Sequence, residues 1–205
     1  MSESGSDGIG STTAGHYGAQ GTGVALSTVA IAAAWNIQGD AARPSFVTDI
    51  EQQFGIALPL VPNTAVSSDA LIAMWLGPRS WLLVESSPPA RALAQRDFDS
   101  RRDAVNALGG ALFDVSASRV GYQIRGTQAE TILAKSCPLD FGVEAFAVGA
   151  CAQSVFGHVN ALFYREDYSA SFVMLVARSF AADVWRTLCQ SSAQYGYTVE
   201  APLDS

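Results

Sequence analysis

Paired strand-like segments joined by a tight turn are the feature that most constrains the fold of this 205-residue chain. The clearest pair is Leu71–Leu76 and Ser80–Glu85, because Gly77-Pro78-Arg79 between them is a turn sequence and predicts a β-hairpin. Helical segments separate such pairs instead of following every strand. The pattern predicts an α+β fold in which helices pack on a mainly antiparallel sheet, and it argues against a Rossmann-type βαβ alternation.

The other elements are predicted from apolar periodicity and from residues typical of helix ends. Pro88-Pro89 favours a helix start, and Thr127-Gln-Ala-Glu130 matches a capping box, whose side chains bond to the first free N–H groups of a helix. The segment Tyr164–Tyr168 is predicted to be a charged hairpin turn. The predicted helices are Phe46–Phe54, 88–108, 127–136 and Phe180–Ser192, with Ala182, Trp185, Leu188 and Cys189 facing inward in the last. The further predicted strands are Ala30–Gly39, Ala111–Val115, Arg119–Arg125, Ala150–Phe156, His158–Tyr164 and Ser171–Ala177.

Residues 1–23 are mostly Gly, Ser and Thr, a composition that predicts a flexible tail because it buries little apolar surface. We expect a single domain over residues 24–198, followed by a short acidic tail, 199–205. The N-terminus lacks the basic and apolar regions of a secretory signal. The apolar run Val24–Trp35 is 12 residues long, too short to span a bilayer. These features predict a cytoplasmic protein without membrane contact.

Composition narrows the class of partner. The formal charge of −7 argues against nucleic-acid binding, which depends on basic surface that neutralises phosphates. Hydrophobic residues make up 49% of the chain and charged residues only 15%, against roughly 25% in typical domains. Either a partner covers part of an apolar surface, or the core is large and rich in alanine, and composition leaves both open.

The residues suited to catalysis are few and scattered. Three cysteines, Cys137, Cys151 and Cys189, lie far apart without a CxxC pair, which predicts reduced thiols and no disulfide or zinc site. His158 is the one histidine outside the predicted tail, and a lone histidine in a strand is more often structural than catalytic. Its distance of seven residues from Cys151 does not establish a nucleophile–base pair.

Motifs for cofactors are absent from the sequence, since Gly21-Thr-Gly23 lacks the remaining glycines of a dinucleotide fingerprint and no GxxxxGK[ST] occurs. Asp114 ends a predicted strand and is either a catalytic carboxylate or the acceptor of an Asx turn, with Arg119 close enough in sequence to pair with it. We favour the turn. The sequence therefore supplies no catalytic, cofactor-binding or metal-binding residue that we assign to this chain.

Six spaced blocks carry a family resemblance. They are Leu58–Asn63, Met74–Val84, Phe113–Ser116, Cys137–Phe141, Ala145–Gln153 and Val176–Trp185. In this order they resemble the gamma subunit of heterotetrameric sarcosine oxidase, over roughly residues 30–190. The family commonly has an acidic residue before the second tryptophan of the hairpin, where this chain has Ser80.

The resemblance extends to the fold of folate-binding aminomethyltransferases such as the glycine-cleavage T protein. The stretch Phe113–Leu133 looks like their pattern of Asp-x-Ser, strand, glycine and helix. Those enzymes then use an acidic residue after a glycine-rich segment, whereas Gly157-His-Val-Asn-Ala161, the nearest counterpart here, contains no carboxylate. The resemblance thus implies a related scaffold without the folate-activating acid.

What the resemblance implies for function is a non-catalytic subunit, although the sequence leaves the enzymatic status of the chain open. The complex oxidatively demethylates sarcosine to glycine with hydrogen peroxide and, with tetrahydrofolate as a substrate, yields methylenetetrahydrofolate. FAD, FMN, NAD and zinc are expected in the alpha, beta and delta partner subunits, and no cofactor is expected in this chain. The gamma chain is expected to pack on a larger subunit.

Two alternatives stay open at this point: a free-standing folate-binding or folate-dependent one-carbon transfer protein of the same fold, and an unrelated acidic interaction domain. Aromatic residues in the blocks, such as Trp75, Trp81 and Phe146, are plausible interface anchors. The competing interpretation, which we favour for each of them, is that they are core residues.

Overall fold

The computed structural model describes residues 13–68, 71–86 and 90–200, with the backbone alone over 90–96. The helices are α1 (Pro44–Phe54), α2 (Ala90–Ala107), α3 (Ala129–Ala134) and α4 (Ala181–Ser192). The strands are β1 (Gly15–Tyr17), β2 (Val24–Val29), β3 (Ala33–Gln38), β4 (Ala65–Ser68), β5 (Leu71–Gly77), β6 (Ser80–Glu85), β7 (Ala111–Asp114), β8 (Arg119–Arg125), β9 (Cys151–Phe156), β10 (Val159–Asp167), β11 (Ser171–Ala177) and β12 (Tyr197–Val199). In these parts of the chain, no helix has the length and apolarity needed to cross a membrane.

The described residues form two compact units, and the strands form two sheets instead of the single sheet that the sequence suggests. The first unit comprises residues 13–29, 120–148 and 153–200, and the second comprises residues 30–119 and 149–152. One sheet has seven strands in the order β1-β12-β2-β8-β11-β10-β9, and the other has five in the order β4-β5-β6-β3-β7. Pairing in the five-stranded sheet is antiparallel throughout, whereas β2 pairs parallel with β12 in the larger one. The α+β class with mainly antiparallel strands is confirmed.

The second unit is built around the predicted hairpin. Strands β5 and β6 pair with Trp75 opposite Trp81, so the hairpin prediction is confirmed. Helix α1 buries Phe46, Ile50 and Phe54 in the same apolar cluster as Trp81. The helix begins at Pro44 and ends before Gly55, which takes the left-handed conformation that favours glycine at a helix end.

The first unit buries the inner face of α4 against strand residues. The ring of Tyr122 packs 5.4 Å from that of Trp185, and its hydroxyl donates a hydrogen bond to the Ala181 carbonyl (2.8 Å). Trp185, Leu188 and Cys189 are buried as predicted, whereas Ala182 is exposed. The buried face of this helix is therefore shifted, because it includes Val184 and Ser192 in place of Ala182.

Part of the predicted N-terminal tail is a strand. Gly15–Tyr17 pair antiparallel with Tyr197–Val199, and the rings of Tyr17 and Tyr197 stack with centroids 5.5 Å apart. An edge strand with free backbone groups accepts such an addition even from a glycine-rich segment, because the bonds are made by main chain. Of the predicted C-terminal tail, Val199 belongs to β12, and residues 1–12 and 201–205 of the two tails lie outside the described residues.

Two local predictions are wrong. Helix α3 begins at Ala129, and no side chain caps its N-terminus, so Thr127 and Glu130 form no capping box. Strand β10 continues through Arg165 to Asp167, so the turn that was predicted to begin at Tyr164 lies further along the chain. The carboxylate of Glu130, the expected acid of the capping box, instead accepts a hydrogen bond from the buried guanidinium of Arg165. The predicted start of α2 at Pro88-Pro89 lies outside the described residues.

Candidate interaction surface

Cys151 and His158, two of the polar residues singled out in the sequence, differ in burial and in their contacts. The Cys151 thiol is buried and donates to the Thr64 carbonyl (3.2 Å). Burial raises the pKa of Cys151 to about 11, so the thiol stays protonated at neutral pH and is a poor nucleophile. His158 is exposed, and its ring stands edge-on to Phe180 with centroids 6.4 Å apart.

Asp114 is an Asx-turn acceptor, as the favoured interpretation has it. Its Oδ1 accepts hydrogen bonds from the Ser116 backbone N–H (2.9 Å) and hydroxyl (2.5 Å). The Ser116 Oγ in turn accepts from the Ala34 backbone N–H (2.8 Å). The carboxylate therefore fixes the chain after β7. Within the described residues, no group of three or more His, Cys, Asp or Glu side chains is placed to hold a metal ion.

A buried arginine organises one loop of the first unit. Arg165 is 2% exposed, and its Nη1 donates to the carbonyls of Phe141 (2.8 Å) and Phe146 (3.4 Å) and to Glu130 Oε1 (3.1 Å). Buried charges persist only where they are paired and hydrogen-bonded. These hydrogen bonds therefore hold residues 141–146 against strand β10.

The register of β10 and β11 shifts between Arg165 and Asp167, which marks a β-bulge. Arg165 Nε donates to the Asp167 carbonyl (3.2 Å), and the guanidinium carbon lies 5.0 Å from the centroid of the Phe172 ring. The arginine thus has a cation–π contact as well as its ion pair. The sequence predicts a charged hairpin turn at this residue, whereas the structure buries it in β10.

In the second unit, a loop held by hydrogen bonds presents apolar side chains; we call residues 58–63 the proline loop. Leu58 is buried, and the Pro59 carbonyl accepts a hydrogen bond from the indole Nε1 of Trp81 (2.8 Å), itself fully buried. Between these fixed points and Asn63, the side chains of Leu60 and Val61 are 54% and 64% exposed.

Hydrogen bonds also hold the C-terminal end of the proline loop. The Thr64 hydroxyl donates to the Val61 carbonyl (2.7 Å), and the Cys151 backbone N–H donates to the Asn63 carbonyl (2.9 Å). Asn63 itself has a φ of 60°, a left-handed conformation that asparagine tolerates better than most residues. Two exposed aliphatic side chains therefore stand on a backbone that is bonded on both sides.

The predicted aromatic anchors belong mainly to the core. Trp81 and Phe146 are 0% and 5% exposed, and Trp75 is partly buried against the core of the second unit. The core interpretation is therefore correct for Trp81 and Phe146. The exposed apolar residues of the proline loop were not singled out, although they lie inside the first of the six sequence blocks.

Comparison with solved structures supports the fold. The chain is similar to one of heterotetrameric sarcosine oxidase from Corynebacterium sp. U-96 in complex with pyrrole 2-carboxylate, with a TM-score of 0.73, 23% identity and 91% of each chain covered. It is also similar to glycine cleavage system aminomethyltransferase T from Bartonella henselae, with a TM-score of 0.54, 16% identity, and 84% of this chain and 47% of that chain covered. The expected likeness to the aminomethyltransferase fold is confirmed.

Sequence relatives agree with the family. Sarcosine oxidase subunit gamma from Corynebacterium sp. (strain P-1) is 29% identical over 130 residues, which cover 62% of this chain and 56% of that protein. The same subunit from Corynebacterium sp. (strain U-96) is 30% identical over 112 residues, which cover 54% of this chain and 52% of that protein. The match thus spans about half the length of these relatives. Because the model of the sarcosine oxidase gamma subunit family matches residues 38–194, the chain belongs to that family.

Proposed function

We propose that this chain is the non-catalytic gamma subunit of a heterotetrameric sarcosine oxidase. The complex would oxidatively demethylate sarcosine to glycine with release of hydrogen peroxide, and would form methylenetetrahydrofolate when tetrahydrofolate is present. In this proposal FAD, FMN, NAD and zinc are held by the alpha, beta and delta subunits, and the assembly works in the cytoplasm.

The observation that carries the proposal is the structural use of the polar groups that a catalyst would need free. Asp114 accepts two hydrogen bonds from Ser116, and Arg165 is buried in contacts with carbonyls and Glu130. The Cys151 thiol has its pKa raised by burial and is turned to a carbonyl. A domain whose reactive groups serve its own fold is suited to a structural role in a complex. Membership of the gamma subunit family supports sarcosine oxidase as that complex.

The experiment is co-expression of this chain with the proposed alpha, beta and delta subunits, followed by purification through an affinity tag on this chain. We expect flavin absorbance and sarcosine-dependent peroxide formation in the purified fraction, and neither when the chain is expressed alone. Purification of the chain by itself from its native host, with tight binding of tetrahydrofolate, would instead support a free-standing folate protein of the same fold.

A further inference from the structure

We propose that Lys135 and Tyr195 form a modification site for formaldehyde, which joins the two side chains through a single methylene carbon. This inference rests on the proposed function, because oxidative demethylation of sarcosine supplies the aldehyde. An electron pair and two protons pass from the N-methyl amine to oxygen, which leaves an imine and forms hydrogen peroxide. Water then adds to the imine and releases glycine and formaldehyde.

The amine of the site is the side-chain amine of the only lysine in the 205-residue sequence. The other basic side chains outside the histidines are eleven arginines, whose guanidinium groups stay protonated in proteins. A lysine can react with a carbonyl compound as the neutral amine and form a Schiff base. Lys135 directly follows α3, and its side chain is exposed to a dissolved aldehyde.

Two contacts place this amine against the ring of Tyr195. Lys135 Nζ donates a hydrogen bond to the Ser191 carbonyl (2.7 Å) and lies 4.6 Å from the centroid of the Tyr195 ring. The tyrosine ends the short 3-10 helix Ala193–Tyr195, and Gly23 passes so close that a Cβ there would lie 3.1 Å from Tyr195 Cβ. The ring is therefore held from one side while the amine approaches from another.

The separation suits a bridge of one carbon. A tetrahedral carbon bonded to a nitrogen and to another carbon holds those two atoms about 2.5 Å apart, as in the N–Cα–C unit of the backbone. Rotation of the long and exposed lysine side chain closes the remaining gap between Nζ and the ring. Tyr168, which is 81% exposed, has no lysine near it because the sequence contains no second one.

The bonds and protons of the reaction balance without an oxidant or a reductant. The neutral amine of Lys135 adds to formaldehyde, and uptake of a proton with loss of water gives a methylene iminium. The ring carbon beside the phenol oxygen of Tyr195 then attacks the iminium carbon and releases its proton to solvent. One amine, one formaldehyde and one ring C–H become an N–CH2–C bridge and water.

A cation–π contact between α3 and the C-terminal region is the competing interpretation, because it explains the geometry as packing alone. The two interpretations differ in covalent chemistry. A bridge would also link segments that are far apart in the chain and would restrict the unfolded state as a disulfide does. We expect the bridged chain to melt about 4–16 °C above the untreated one.

The first arm of the test treats the purified full-length chain with formaldehyde, removes reversible adducts by dialysis and maps cross-links by mass spectrometry after proteolysis. We expect peptides containing Lys135 and Tyr195 to be joined with the added mass of one carbon atom. Tyr195→Phe keeps a ring for the cation–π contact but lacks the hydroxyl that activates the ring carbon, so the cross-link should fall at least tenfold. Lys135→Arg should abolish it, and Tyr168 is the internal control.

The second arm uses the co-expressed assembly with sarcosine, oxygen and catalase, with and without tetrahydrofolate. We expect the same cross-link to accumulate during turnover without tetrahydrofolate. It should fall at least tenfold when tetrahydrofolate takes up the one-carbon unit.

The outcomes separate this inference from the proposed function. If added formaldehyde leaves Lys135 and Tyr195 unjoined, or modifies Tyr168 as readily as Tyr195, the inference is wrong and the subunit role stands. If an active assembly turns over sarcosine without forming the bridge, the inference is also refuted. If the assembly does not oxidise sarcosine, the proposed function fails, whereas a bridge formed by added formaldehyde still supports the reactive pair.

Discussion

Replacement of the buried arginine tests how the first unit is held together. Arg165→Met keeps much of the side-chain length but removes four donated hydrogen bonds, to Glu130, to two loop carbonyls and to the Asp167 carbonyl. The side chain of Glu130 is 40% exposed and can be hydrated after the substitution. The loss of its ion pair therefore contributes little to the destabilisation.

The cost comes mainly from the carbonyls of Phe141 and Phe146, whose hydrogen bonds to the guanidinium lie in the interior. A buried group left without a partner costs about 1–3 kcal/mol, and the bond to Phe146 is long. We therefore expect Arg165→Met to lower the free energy of unfolding by about 2–4 kcal/mol. For a chain of this size that corresponds to a fall of about 4–16 °C in melting temperature.

The measurement is urea unfolding followed by tryptophan fluorescence, with the m value checked for two-state behaviour. Arg186→Met is the matched control, because Arg186 is 60% exposed and its ion pair with Asp183 should contribute less than about 1 kcal/mol. A loss below about 1 kcal/mol for Arg165→Met, or equal losses for the two variants, would refute the view that this guanidinium organises the loop.

Three further predictions concern the proline loop, the thiol and the N-terminal strand. Trp81→Phe should cost about 1–3 kcal/mol in urea unfolding, because it leaves the Pro59 carbonyl without its donor; an unchanged midpoint would contradict this. Burial raises the pKa of Cys151 from 9.0 to about 11 and that of Tyr122 from 10.0 to about 12, so the folded state holds both protons more tightly. Stability should therefore fall as pH rises from 9 towards 12, whereas a free energy of unfolding that stays constant over that range would refute both assignments. Gly196→Ala should release the N-terminal strand to proteolysis, because Gly196 has a φ of 71° and a Cβ there would lie 2.3 Å from two carbonyl oxygens of that segment; equal protection in the wild type and the variant would show that the contact is dispensable.

Local chemistry made much of the fold predictable. The hairpin of β5 and β6 follows from one turn sequence, and α1 follows from a proline at its start and a glycine at its end. The strand Gly15–Tyr17 was not predictable in this way, because its bonds depend on the free edge offered by Tyr197–Val199, far along the chain. Pairing between distant segments leaves no local signal in a glycine-rich sequence.

Arg165 shows a different reason why a prediction from sequence can fail. Charge and neighbouring acidic residues favour a solvated turn at Arg165, yet a period of two from Phe163 places it on a buried face of β10. That alternation was the sequence signal that indicated burial of Arg165. The prediction followed instead the general preference of charged residues for solvent. The proline loop was missed for the opposite reason, since exposure of Leu60 and Val61 depends on tertiary contacts that composition does not encode.

The prediction of one domain over residues 24–198 stays a prediction. The chain passes between the two compact units after residues 29, 119, 148 and 152, so neither unit is a continuous segment. Because each unit is assembled from separate stretches, we expect them to depend on one another for folding.

The most direct test of the subunit role is to purify the assembly with and without this chain and to assay sarcosine-dependent peroxide formation together with flavin absorbance. We predict that this chain alone has neither property, and that it co-elutes with active, flavin-containing subunits when they are expressed together. Sarcosine oxidation by the isolated chain, or its failure to associate with those subunits at micromolar concentration, would contradict the account.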